Sequence, residues 1–194
     1  MCTVGTGKTC TIIEVILETL RRSPEKRVLA CAPSDAAADV ICKRLMPYFS
    51  ETQLCRLNWW QRSLASVHPS MHRYCCVRGG GTTFDIPDMQ DLLRFQIIVC
   101  TSVAAGVFQN LYLNDQDYST LQFDLVVIDE VSQATEAEVM VPLVCVKDTG
   151  VIVLAGDPQQ LGPNPRSPLY QLSGRCVPSS MPHAHLHVCI GHVL

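Results

Sequence analysis

Two acidic and amide clusters hold side chains suited to phosphate chemistry: Asp129-Glu130 and Gly156-Asp157-Pro158-Gln159-Gln160-Leu161-Gly162-Pro163. Leu125-Val126-Val127-Ile128 runs into the first, and Val151-Ile152-Val153-Leu154 runs toward the second. Continuous apolar, β-branched runs read as parallel strands buried on both faces, and open α/β sheets bind ligands beyond the carboxyl ends of such strands. A carboxylate held there can orient a divalent cation and its waters, and a second can take a proton from an attacking water. Asp129 suits the first duty and Glu130 the second, because neighbouring residues at a strand end point in different directions. Gln133 and Gln160 each donate and accept, so either can meet a terminal phosphate or the water that attacks it. Asp157 follows Gly156, a position where a close backbone approach favours the residue without a side chain.

Upstream, Gly5-Thr6-Gly7-Lys8-Thr9 supplies the matching phosphate loop. Its glycines let backbone N–H groups turn toward phosphate oxygens, Lys8 brings a point charge, and Thr9 offers a hydroxyl to Mg²⁺. Thr9 and Asp129 are thus the candidate metal-holding pair. The pattern places another glycine six positions before the lysine, where this chain has Cys2.

The elements that must position these groups are legible in the periodicity. Ile12, Ile13, Ile16, Leu17 and Leu20 recur at helical spacing, which predicts a helix over Thr9 to Arg22 that stops at Ser23-Pro24. Arg27 to Ala32 reads as a buried strand, and Ser34 caps the helix after it. Residues 50–90, with Trp59-Trp60, Cys75-Cys76 and Gly79-Gly80-Gly81, read as an irregular insertion. Gln96 to Thr101 is a strand, Ser102 to Gln109 a short helix, and Thr135 to Val146 a helix shortened or kinked at Pro142. Alternating strand and helix predicts a mostly parallel sheet covered on both faces.

Composition sets outer bounds. With 194 residues and 47% hydrophobic content there is one domain's worth of core. The net charge of −3 rules out a general basic field as the means of holding nucleic acid, while leaving room for a local groove. Eleven cysteines, several within apolar strands, read as buried thiols of a reduced cytoplasmic or nuclear protein. No apolar stretch approaches the roughly 18 residues that read as a membrane span.

Gly5-Thr6-Gly7-Lys8-Thr9, Ala32-Pro33-Ser34-Asp35-Ala36-Ala37-Ala38-Asp39, Val99-Cys100-Thr101, Asp129 to Glu136 and Gly156 to Pro163 together resemble the first five motifs of superfamily 1 helicases. The branch most similar is that of the nonsense-decay and Armitage-type RNA helicases. The resemblance implies an α/β, three-layer RecA-like P-loop NTPase domain over residues 1–172. It also implies ATP with Mg²⁺, and translocation on single-stranded RNA or DNA. Lys8, Thr9, Asp129, Glu130 and Gln160 fall on nucleotide-handling positions, with Gln160 sensing the γ-phosphate; Gly5, Thr6, Gly7, Gln133 and Asp157 join them as candidate nucleotide contacts on their own chemistry. Ser34 and Thr101 fall where that family meets the nucleic-acid backbone, a task a neutral hydroxyl performs without reading sequence.

The departures also shape the expectation. Asp35 stands where the family carries asparagine, and puts negative charge beside the expected phosphate path. Only Met1 to Val4 precede the loop, so the sheet's first strand is expected to be missing, and nothing after Tyr170 resembles the second RecA-like domain. That second domain supplies arginines, and arginine fingers contribute about 10³–10⁵ in rate in related phosphoryl transfer. The isolated chain is therefore expected to turn over ATP weakly or not at all. A nucleotide- or RNA-binding fragment without catalysis, and a non-functional gene fragment, are the other readings. Residues 173–194, rich in Pro, His and Ser, read as an irregular tail. Its His183, His185, His187, Cys189 and His192 have metal-like spacing but little to hold them in place. Trp59-Trp60, flanked by Arg56 and Arg62, is expected to pack on the sheet, with base stacking as the alternative.

Overall fold

A computed structural model describes residues 7–77, 79, 81–108, 122–157 and 162–163, and the backbone of 187–192. In chain order the elements are α1 (Lys8–Arg22), β1 (Val28–Ala32), α2 (Asp35–Leu45), β2 (Leu54–Arg56), α3 (Met89–Arg94), β3 (Ile97–Thr101) and β4 (Phe123–Ile128). There follow α4 (Glu136–Leu143), β5 (Val146–Gly156) and β6 (His187–His192). The sheet order is β2-β3-β1-β4-β5-β6. The first five strands are mutually parallel, and β6 joins β5 antiparallel.

Alternation along the strands divides the core into two layers. Val28, Ala30, Ala32, Val99, Val127 and Val153 face α1 and α2, meeting Ile12, Ile16, Ile41 and Leu45. Leu29, Cys31, Ile98, Cys100, Val126 and Ile128 face the other way, against Leu92 of α3 and Phe108. Both faces are therefore covered, as continuous apolar strands require. Each fully buried Ile or Leu contributes about 1.5–3 kcal/mol relative to an exposed one. This is the three-layer α/β fold expected from the sequence.

Four expectations need correction. The insertion is not irregular throughout: Leu54–Arg56 is a buried strand that extends the sheet beyond β3 in the register Leu54↔Ile97. Its three residues are too few for a period to register. The helix before the last long strand ends at Leu143, not Val146. Thr135 and Glu138 start it with a reciprocal capping box, and Pro142 lies in its final turn. Val146 instead opens β5, which is longer than its apolar stretch Val151 to Leu154 suggests. Within the tail read as irregular, His187–His192 forms β6 along the β5 edge. Of the helix expected over Ser102 to Gln109, residues 102–105 form turns and 106–108 are helical, and Gln109 lies outside the described residues.

Candidate active site

All five parallel strands end on one side of the sheet, and the chemistry-bearing residues gather there. Gly7 begins the arrangement, with φ of 77° in the left-handed region where a side chain would be strained. That turn directs the chain into α1, whose first bond runs from Thr11 N–H to the Gly7 carbonyl at 2.9 Å. The earlier N–H groups of α1 have no partner within the helix, and with the helix dipole they favour an anion. Lys8 and Thr9, on the first turn, are aimed by the packing of Ile12, Ile13 and Ile16.

Asp129 continues the ladder past β4, its N–H donating to the Cys31 carbonyl at 2.9 Å. It is 3% exposed. Its Oδ2 accepts from Thr9 Oγ1 at 2.8 Å, and its Oδ1 accepts from Glu130 N at 2.9 Å. A hydroxyl and a carboxylate therefore converge from two elements that are 120 residues apart in sequence. These are hard oxygen donors of the kind Mg²⁺ takes, one or two from protein with the rest from phosphate and water. On that chemistry Thr9 and Asp129 fit the cation, and Lys8 with the α1 terminus fits the phosphates it accompanies.

Glu130 has φ of 52°, the sole positive value among the described non-glycine residues. Such a conformation costs of order 1–3 kcal/mol and persists when surrounding structure enforces it. The chain turns here into a single helical turn, closed by Gln133 N–H to the Glu130 carbonyl at 2.9 Å. Burial pushes the Glu130 carboxyl above the usual range, and Asp129 and Asp157 add to the rise while Lys8 and Gln133 oppose it. A carboxyl raised toward neutrality is better matched to general-base work. The Gln133 amide lies 3.4 Å from Glu130 Oε2 and is otherwise exposed.

Across the site, Lys8 Nζ stands 3.8 Å from Asp157 Oδ2. Asp157 comes directly off β5 after Gly156. A Cβ at Gly156 would lie 2.8 Å from Val131 Cγ1 and 3.0 Å from Ser132 N, so the close approach inferred from sequence is a real steric constraint. Gly7, Lys8, Thr9, Asp129, Glu130, Gln133 and Asp157 are thus brought together. Gly5, Thr6 and Gln160 lie outside the described residues.

Ser34 and Thr101 occupy the same sheet edge, farther along at the ends of β1 and β3. Ser34 caps α2, its side chain accepting from Ala37 N at 3.2 Å, and Thr101 Oγ1 accepts from Ala104 N at 3.2 Å. The next residue, Ser102, donates its N–H to the Ala32 carbonyl and buries a hydroxyl with no partner. His68 and His72, near the Cys75-Cys76 pair, are engaged locally with Ser70 and the Val67 carbonyl. Among the described residues no group of three or more ligand-type side chains forms a metal cage.

Sequence reading missed a cluster beside Ser34. Arg56, fully buried at the end of β2, donates from Nη2 to Asp35 Oδ1 and from Nε to Asp39 Oδ1, each at 2.8 Å. Arg62 adds Nη2 to Asp39 Oδ2 at 2.6 Å and Nη1 to Asp35 Oδ1 at 3.4 Å. Two guanidinium groups therefore match two carboxylates, and the charge of Asp35 is compensated where the sequence left it bare. The signal was present: Asp35 and Asp39 lie one helical turn apart, and Arg56 interrupts the apolar run Leu54-Cys55-Arg56-Leu57.

Comparison with known proteins agrees with this architecture. A family described as an AAA domain matches residues 3–75 and 88–167. RNA helicase Mov10l1 of Mus musculus is 38% identical over 175 residues, covering 88% of this chain and 14% of that protein. Putative helicase mov-10-B.2 of Danio rerio is 35% identical, over 85% of this chain and 16% of its own length. Probable helicase with zinc finger domain of Homo sapiens is 34% identical, over 82% of this chain and 8% of its own length. The chain belongs to this AAA domain family, a domain of superfamily 1 helicases. It spans only 8–16% of the length of these relatives.

Proposed function

We propose that this chain is the first, RecA-like motor domain of an ATP-dependent helicase that moves on single-stranded RNA. The observation that carries the reading is the Thr9–Asp129 contact at 2.8 Å, which closes the start of α1 onto the end of β4 with Glu130 alongside. In this reading Lys8 and the α1 N-terminus hold the β- and γ-phosphates, while Thr9 and Asp129 hold Mg²⁺. The cation, when bound, neutralises charge developing on the phosphate oxygens. Glu130 takes the proton of the attacking water, with Gln133 and Gln160 positioned to orient that water or sense the γ-phosphate. Asp157 holds Lys8 in the site. Ser34 and Thr101 meet the phosphate backbone of the strand. RNA is preferred to DNA because the relative Mov10l1 is an RNA helicase.

Titration calorimetry of the 194-residue chain with Mg-ATP tests the nucleotide half of this reading. Saturable binding that weakens at least about ten-fold in Lys8→Ala, equivalent to about 1.4 kcal/mol, is the expected result. Binding indifferent to Lys8, or none, would overturn it. Affinity unchanged by chelating Mg²⁺ would remove Thr9 and Asp129 from the metal role.

A further inference from the structure

Trp59 and Trp60 do not pack on the sheet. They are 40% and 50% exposed, and neither belongs to either core layer. Their rings lie 6.4 Å apart and are tilted by 38°, so they are not stacked face to face on each other. Exposing two adjacent indoles to water forgoes a large burial term, which makes the patch informative.

The turn carrying them is held firmly from beneath. Leu57 N–H donates to the Val99 carbonyl at 2.9 Å, so the chain follows β3 toward Thr101 before turning outward. Asn58 is buried, its Nδ2 donating to the Arg56 carbonyl and to Cys75 Sγ. The turn closes with Arg62 N–H to the Trp59 carbonyl at 2.9 Å. Arg62 Nη1 then donates to Asn58 Oδ1 at 2.7 Å, and its guanidinium reaches Asp39 and Asp35. That last bond ties the turn to the first turn of α2, one residue from Ser34. A rigid display of this kind loses little conformational entropy when it binds.

From this juxtaposition we propose that Trp59 and Trp60 form a base-stacking platform for the single strand whose backbone meets Ser34 and Thr101. The proposal rests on the nucleic-acid reading given above. Every base presents a π-face, so an aromatic platform next to hydroxyl contacts grips a strand without reading its sequence. The neutralised Asp35–Asp39–Arg56–Arg62 cluster removes the local charge that would repel phosphate, and its arginines support the turn.

The chain has only two tryptophans, so its selectively excited tryptophan fluorescence reports this site alone. Titrating it with a single-stranded RNA dodecamer, while following the anisotropy of a labelled copy, reads stacking and binding separately. The expected result is quenching that saturates with the anisotropy. Trp59→Ala/Trp60→Ala should then bind about ten-fold or more weakly. Trp59→Phe/Trp60→Phe should retain most of the affinity, and both variants should melt like the parent. An abasic strand of equal length should bind without quenching. RNA that binds with unchanged emission, and equally well to the alanine variant, would overturn the platform while leaving the nucleic-acid reading intact; the indoles would then suit a protein partner. Absence of RNA binding by either readout would overturn both.

Discussion

Glu130 combines two costs that a structural residue would not retain. Its backbone sits at φ of 52°, and its carboxyl is raised by burial and by the neighbouring Asp129. A carboxyl whose folded value lies above its unfolded value stabilises the fold most at low pH, and that contribution is lost as pH rises through the folded value. Glu130→Gln should therefore raise the melting temperature at pH 7, and the difference should vanish below about pH 4, where Glu is protonated in both states. Scanning both proteins from about pH 3 to about pH 8 checks the sign. On the proposed function, the same substitution should abolish ATP hydrolysis and spare ATP binding, and retained turnover would remove Glu130 from the base role. Gly156 is constrained sterically. Gly156→Ala sets a methyl 2.8 Å from Val131 Cγ1 and should cost about 1–3 kcal/mol in urea unfolding.

At the scale of elements, α2 is fastened to β2 by charge as well as by its apolar face. Arg56 donates to both aspartates of α2 and also to the carbonyls of Leu57 and Asp35. Replacing it with methionine would preserve bulk but leave buried acceptors and half the carboxylate charge unmet. Arg56→Met should cost about 3 kcal/mol, and more than Arg62→Met, because Arg62 is bonded to no such pair of carbonyls. Chemical denaturation of the two variants side by side decides the order. If they are equal, the cluster is held by its carboxylates alone. Because Ser34 caps α2, loosening this clamp should also weaken strand binding without affecting Mg-ATP affinity.

Over the whole molecule, carboxylates tuned in opposite directions shape the pH response. Burial alone would raise Asp39, but hydrogen bonds from Arg62 and the charge of Arg56 outweigh it and hold its carboxyl low. Asp124 behaves likewise: burial is outweighed by Lys147 and by the Arg27 N–H, at 2.8 Å each. Depressed carboxyls contribute stability that is present above their unfolded value near pH 4 and lost as pH falls through the folded value. Acid unfolding should therefore set in below about pH 4, and Asp39→Asn should flatten that limb in a plot of melting temperature against pH. A limb of unchanged slope would mean that other carboxyls dominate it. Beside β5 lies β6, the one antiparallel strand among the described residues, which pairs with an edge that would otherwise present unpaired backbone groups.

Local order carried much of this. Apolar runs such as Leu125 to Ile128 announce buried parallel strands, and the spacing of Ile12, Ile16 and Leu20 announces α1, because burial on one face imposes the period of the element. Lys8, Thr9, Asp129 and Glu130 are legible for a related reason: phosphate and cation chemistry demands particular groups at strand and helix ends. Contacts between distant segments are another matter. The Thr9–Asp129 bond, the matching of Arg56 and Arg62 to Asp35 and Asp39, and the seating of β6 on β5 depend on how the strands are ordered across the sheet. Strand order is set by the summed packing of both faces, which no local window contains. Trp59 and Trp60 show the difference most plainly: their composition suggested burial, and only the anchored turn beneath them decided that they face solvent.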